Sequence, residues 1–419
     1  MKKTVLTLLL LATAFVCSEA KTRKTLFVIV DGIPADCIER LKPHTIMDIA
    51  EEGGYARAYC GGDVGMYSET PTISAIGYSN IITGTWMNKH NVRGNSNIQE
   101  NYNYPTIFRI AKNQSRPVTT AIYSSWTDNR TVLLGEGKPE TGNLKIDYVF
   151  DGYDNDKTNF PNKPGDFHIF DIDAHVCAEA AKNIRTNAPD LNWVYLWYTD
   201  DAFHIKGNGE HSDWSVTATD SLLSDVWEAV KYREKNNDEE WLVIIVTDHG
   251  RGNDGHNHGG QSARERTVWM ATNLKKRNAQ FGRPTLSHTD ILPTICEFMD
   301  FDVPDDVLYE LDGTSFYGKN DIYDLQAAQY DDKAILVVEM RQRQGQGRSV
   351  HRHYQQQGHR RKGQLAESGR SARTRRQLYH RPQEIRRLEV LQIRRAHHEQ
   401  LHNPPAAQIT LRRAVRRAV

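Results

Sequence analysis

The sequence predicts an α/β fold, a central, mostly parallel sheet flanked by helices with a metal site at the carboxyl ends of its strands, and three observations carry that prediction. Residues 26–30 (LFVIV), 193–198 (WVYLWY) and 242–246 (LVIIV) are continuous apolar or aromatic runs, the pattern of strands buried on both faces of a parallel sheet. Each run stops at or just before an aspartate: Asp31, Asp200 and Asp248. Between them lie amphipathic helical patterns, residues 171–185 and 220–232, the second with Leu222, Leu223, Val226 and Val230 on one face. In open α/β sheets the chemistry collects beyond the carboxyl ends of the strands, so the three aspartates point to one crevice.

In chain order, Lys2-Lys3 precede an apolar run over residues 5–16, and Ser18-Glu19-Ala20 offer small residues at a cleavage position. Residues 1–20 therefore read as a secretory signal, too short to span a bilayer, and its brief apolar core points to export into a bacterial periplasm without a transmembrane anchor. Cys17 lies inside that segment. The remaining Cys37, Cys60, Cys177 and Cys296 form an even count, which permits disulfides without specifying a pairing.

The first strand ends at Asp31-Gly32, and a helix is expected from Pro43 to the Gly53-Gly54 stop. After a glycine-rich loop, residues 71–84 (PTISAIGYSNIITG) put Ser74 where a helix begins. A helix N-terminus offers free N–H groups and positive dipole to a phosphate, although an N-cap serine is the plainer reading of that residue alone. Residues 119–126 read as a strand, and 152–166, rich in Asp, Asn, Pro and Gly, as a loop. The run at 193–198 leads to Asp200, with His204 four residues on. The run at 242–246 leads to Asp248-His249-Gly250 and a turn carrying His256 and His258.

A buried carboxylate without a partner is costly, so three converging on one sheet edge require cations among them. Carboxylate with imidazole suits zinc or a similar divalent ion. Together with the serine, these residues resemble the alkaline phosphatase superfamily, and within it the nucleotide pyrophosphatase/phosphodiesterase branch. The segments that carry the resemblance are FVIVDG (27–32), PTISAIGYSNIITGTWMNKHNV (71–92), TDDAFH (199–204), VTDHG (246–250), HGG (258–260) and HTDILPTICEFM (288–299).

The resemblance implies an alkaline phosphatase-like fold and an exported two-metal phosphoester hydrolase that forms a phosphoseryl intermediate on Ser74. One ion would be held by Asp31, Asp248 and His249 with the Ser74 oxygen. The other would be held by Asp200, His204 and His258, with His256 and His288 as alternatives to His258. The expected cofactors are two divalent ions, zinc first, with manganese or magnesium as alternatives. The expected partner is a small phosphoester, a nucleotide among the candidates; no specific nucleic-acid partner is expected, and the oligomeric state is left open.

Substrate class divides the superfamily. The diesterase branch carries an Asn three residues after its nucleophile, where this chain has Gly77, and Asn95 is the substitute candidate for substrate binding. Lys206, Arg264 and Arg266 are the cations a phosphomonoesterase would need, with surface ion pairs as their plainer role. Tyr123 and Trp126 are candidates for stacking on a base or simply for the core. The Cys/Ser-x-Pro-x-Arg pattern of sulfatases is absent around Ser74. The reading is a phosphodiesterase or nucleotide pyrophosphatase, with a phosphomonoesterase as the alternative.

Charge divides the chain at about residue 340. Lys plus Arg and Asp plus Glu balance at 53 each, yet residues 341–419 hold 19 Arg and one Lys against four Glu. Residues 21–340 form the expected catalytic domain, with a strand at 334–338. The basic remainder reads as a disordered tail, as an anion-binding arm that would make the protein a non-catalytic binder, or as translation out of frame, which the abrupt change of composition favours.

Overall fold

A computed structural model describes residues 21–320 and, beyond them, three strands. The expected signal at 1–20, with Cys17, and the tail over 341–350 and 358–419 lie outside the described residues. Seven strands form the main sheet: β1 (Thr22–Val30), β2 (Gly54–Tyr59), β3 (Thr120–Ser124), β4 (Tyr148–Phe150), β5 (Leu191–Leu196), β6 (Glu239–Val246) and β7 (Thr267–Thr272). Their order is β2-β7-β6-β1-β5-β3-β4. β1 runs parallel to β5 and β6, and β3 parallel to β5 and β4, whereas β7 and β2 add an antiparallel edge.

The two core layers follow from the period of two. Phe27, Ile29, Trp193, Tyr195, Ile244 and Val246 face one side, and Leu26, Val28, Val30, Val194, Leu196, Val243 and Ile245 face the other. Because both faces are covered, the strands must be apolar at every position, which is why the sequence shows runs rather than alternation. Phe27 stacks on Trp193 at 5.6 Å in the first layer. Helices α1 (Ala35–Leu41) and α2 (His44–Glu52) follow β1, and α3 (Ser74–Thr83) follows β2. Helices α4 (Phe167–Thr186), α5 (Tyr198–Lys206) and α6 (Glu210–Asn236) lie between β4 and β6, and α7 (Ile291–Phe298) follows β7.

Three departures from expectation stand out. Pro43 is the cap of α2 rather than its first helical residue. β2 and the short α1 carry no long apolar run and were not expected. β5 ends at Leu196, so Asp200 lies in the first turn of a helix rather than at the tip of a strand. Of the disulfides that the even cysteine count permits, none forms among the described residues: Cys37, Cys60, Cys177 and Cys296 are buried and unpaired. Three further strands, β8 (Ile322–Tyr330), β9 (Lys333–Met340) and β10 (His351–Gln357), form a separate antiparallel sheet in the order β10-β9-β8. β9 covers the expected strand at 334–338, and β10 places a paired segment inside the stretch expected to lack structure. Among the described residues, no helix is long and apolar enough to cross a membrane.

Candidate active site and metal centre

Asp31 directly follows β1, Asp248 lies two residues beyond β6, and the chain after β5 turns into α5, which carries Asp200 and His204 one turn apart on one face. Because β1, β5 and β6 are adjacent and parallel, the three carboxylates meet at one edge of the sheet. Gly32 makes the first turn, with φ +66; a Cβ there would lie 2.4 Å from Arg251 Nη2 and 2.6 Å from Asp200 Oδ1. No side chain fits between β1 and this cluster.

Asp31 and Asp248 each give one oxygen to the protein and keep the other free. Asp31 Oδ2 accepts hydrogen bonds from the Tyr78 hydroxyl and, at 2.7 Å, from the Tyr195 hydroxyl. Asp248 Oδ1 accepts from the Gly32 N–H at 2.9 Å. Asp31 Oδ1 and Asp248 Oδ2 are buried without a hydrogen-bond partner, and both lie 3.4 Å from His249 Nε2. His249 Nδ1 donates to the Gly250 carbonyl at 2.9 Å, which leaves the lone pair on Nε2. Two orphaned carboxylate oxygens and an imidazole lone pair aimed at one point are a donor set for a divalent cation.

Ser74 is the first residue of α3, and the N-cap position belongs to Ile73, whose side chain makes no capping bond. The Ser74 hydroxyl lies 3.2 Å from His249 Nε2, so the N-cap reading is replaced by a serine oxygen beside the first donor group. The Ala75 N–H donates to Asn95 Oδ1 at 2.9 Å, which fixes Asn95 beside the serine.

The second group gathers around Asp200. His258 Nε2 lies 3.7 Å from Asp200 Oδ1 and His204 Nε2 3.3 Å from Asp200 Oδ2, while the two imidazole nitrogens are 3.1 Å apart. His258 Nδ1 donates to the Thr72 carbonyl at 2.8 Å, again leaving Nε2 as the ligand atom. Asp200, His249 and His258 form a donor group of their own, with His204 at the rim. His256 turns away, its Nδ1 at the His204 carbonyl. His288 is buried with Nε2 on the Thr247 carbonyl, 2.9 Å away.

The charges follow the geometry. Burial, then the neighbouring Asp248 and Asp200, push the Asp31 carboxyl well above the carboxylate range; burial also raises Asp248. Asp200 goes the other way: burial would raise it, but the Arg251 guanidinium holds it far below that range. His249 is pushed down by burial and then by His258, so it is neutral.

Arg251, Tyr78 and Tyr195 were missed in the sequence. Arg251 is fully buried and ion-paired to Asp200 Oδ1; the signal was its position two residues after His249. Of the three candidate cations, Arg264 is engaged with Asp36, Gly252 and Asn208, and Arg266 with Gly62. Tyr123 belongs to the core, held by Asn183.

The family model described as type I phosphodiesterase / nucleotide pyrophosphatase matches residues 25–258. Similar solved structures include the murine ectonucleotide pyrophosphatase/phosphodiesterase 5 in complex with AMP (11% identity, 67% of this chain and 96% of that one, TM-score 0.47). They also include the phosphonate monoester hydrolase of Agrobacterium radiobacter (13%, 76% and 87%, 0.48) and a 2-O GAG sulfatase (13%, 77% and 81%, 0.47). No curated protein matches the chain.

Proposed function

Since the chain belongs to the type I phosphodiesterase / nucleotide pyrophosphatase family, we propose that it is a metal-dependent phosphoester hydrolase, acting on phosphodiesters or pyrophosphates, with Ser74 as its nucleophile. The observation that carries this reading is the Ser74 hydroxyl at the start of α3, 3.2 Å from the imidazole that completes the Asp31–Asp248 donor set. Asp31, Asp248, His249 and the Ser74 oxygen would hold one ion, and Asp200, His204 and His258 the other. Bound ions would supply Lewis-acid charge that lowers the pKa of the serine hydroxyl and offsets charge on the leaving oxygen.

The chain's own residues do the rest. The first turn of α3, whose Ala75 N–H is taken by Asn95, turns the positive end of its dipole to the phosphoryl oxygens. Asn95, fixed by the Ala75 N–H, stands beside that turn and offers its amide nitrogen to a non-bridging oxygen, in place of the Asn that Gly77 replaces. Ser74 Oγ forms a bond to phosphorus as the bond to the leaving oxygen breaks. Water then attacks the phosphoserine from the vacated side and restores the hydroxyl. Ser74-Ala75-Ile76-Gly77-Tyr78 lacks the pattern of a sulfatase nucleophile, which favours phosphoryl over sulfuryl transfer. On the signal-like residues 1–20, we place the enzyme in the periplasm.

The test is hydrolysis of bis(4-nitrophenyl) phosphate and 4-nitrophenyl phosphate. The wild type should turn over the diester faster, a chelator should abolish activity, and Ser74→Ala should lower it by about a thousandfold or more. Undiminished turnover by Ser74→Ala would rule the reading out, and a faster monoester would shift the class to a phosphomonoesterase.

A further inference from the structure

We propose that Arg251 makes the two ion positions unequal: it is a resident counter-charge at Asp200, so one divalent ion binds tightly at Asp31–Asp248–His249 and the second binds weakly at Asp200–His204–His258. This rests on the reading of the cluster as a two-ion phosphoester centre. The first position has two carboxylates, each with an unpartnered oxygen. The second has one carboxylate, and its Oδ1 is already ion-paired to Arg251. A guanidinium cannot shed its proton in a protein. With imidazoles neutral and the carboxyls in the deprotonated form in which they ligate, the first position offers an ion two negative charges, whereas at the second the Arg251 charge cancels that of Asp200.

The guanidinium is a built feature of the fold. Its Nε donates to the Gly32 carbonyl at 2.8 Å, Nη2 to the Asp200 carbonyl at 3.0 Å and Nη1 to the His256 carbonyl at 3.3 Å. The Phe203 ring lies 5.1 Å from Cζ. These partners are backbone carbonyls and an aromatic face, so they hold the charge in place whether or not an ion is present. A divalent ion approaching Asp200 therefore meets a fixed cation that shares its carboxylate oxygen. The expected consequence is ordered loading, with the second ion drawn from free metal, so activity follows free metal concentration above the level that fills the first position.

The test is calorimetric titration of zinc into the metal-free full-length protein, with Arg251→Met and Arg251→Lys alongside. The wild type should show one tight and one weak step. Arg251→Met, which removes the charge but keeps the stem, should tighten the weak step by about tenfold and leave the tight step in place, whereas Arg251→Lys should keep the weak step weak. Two equal steps in the wild type overturn the inference alone, as does an Arg251→Met variant whose second step is unchanged or weaker. Should Arg251→Met not fold, the wild-type titration decides. A wild type that takes up no ion overturns the two-ion reading and this inference with it.

Discussion

Tyr78 and Tyr195 do for Asp31 what the Gly32 N–H does for Asp248: they occupy one carboxylate oxygen and leave the other to face the centre. Their hydroxyls are 2.7 Å apart, and burial, then the charge of Asp31, hold both in the protonated, donating form. Partners of this kind orient ligands, and losing one costs about 10–100-fold in metal affinity. Tyr195→Phe should therefore weaken zinc binding by that amount with little change in fold, as read by competition with a chromogenic chelator; unchanged affinity would show that Asp31 is fixed by other means. Gly77 has a steric cause. A Cβ there would lie 2.6 Å from the Asp248 carbonyl oxygen, so the Asn of the diesterase pattern has no room, and Asn95 stands next to Ala75 instead.

Among the elements, the strands were legible because burial on both faces leaves an apolar run, and the Asp-His pair after β6 stood out for the same reason. Asp200 was misplaced on a strand because what ends β5 comes from elsewhere in the chain. Asp173, in α4, accepts the Trp197 and Tyr198 N–H groups at 3.0 and 2.8 Å, and the Ser125 hydroxyl at 2.5 Å. The aromatic run thus becomes the start of α5. The first ten residues of α6 escaped notice for a related reason: their Ser and Thr are poor helix formers, and Ser212 and Ser215 are buried where tertiary contacts hold the helix. Asp173→Ala leaves the buried Tyr198 N–H and the part-buried Trp197 N–H unpaired and should cost about 1–3 kcal/mol or more in denaturant melts. Because α5 carries Asp200 and His204, it should also weaken metal uptake at that pair; a variant as stable as wild type would contradict this role.

The whole molecule carries the electrostatic cost of its site. In the metal-free chain, burial raises the Asp31 carboxyl and pushes Asp248 up to about 7. A carboxyl whose folded pKa is raised contributes stability below its unfolded pKa and loses it as pH climbs through the folded value. The metal-free protein should therefore lose stability as pH rises from about 4 through about 7 on account of Asp248, with the raised Asp31 adding a loss of the same sign, and zinc should raise the melting temperature more at pH 8 than at pH 5. Equal stabilisation at both pH values, with zinc bound in each, would contradict the assignment of these carboxyls as ligands. At this scale the sequence conveyed the α/β class, the mostly parallel sheet and the cluster at its carboxyl edge. It did not convey β2, whose glycine start and short alternation hide an edge strand, nor the buried Arg251, because a charged residue signals burial only when its partner is known.

The most direct test of a serine oxygen acting at a cation-binding sheet edge is to capture the phosphoryl group on the chain. Metal-loaded protein mixed with a phosphodiester, quenched in acid and digested should yield one phosphorylated peptide, modified at Ser74 and absent after chelation. An active enzyme whose phosphate appears on another residue, or on none under conditions that accumulate the intermediate, would contradict the account.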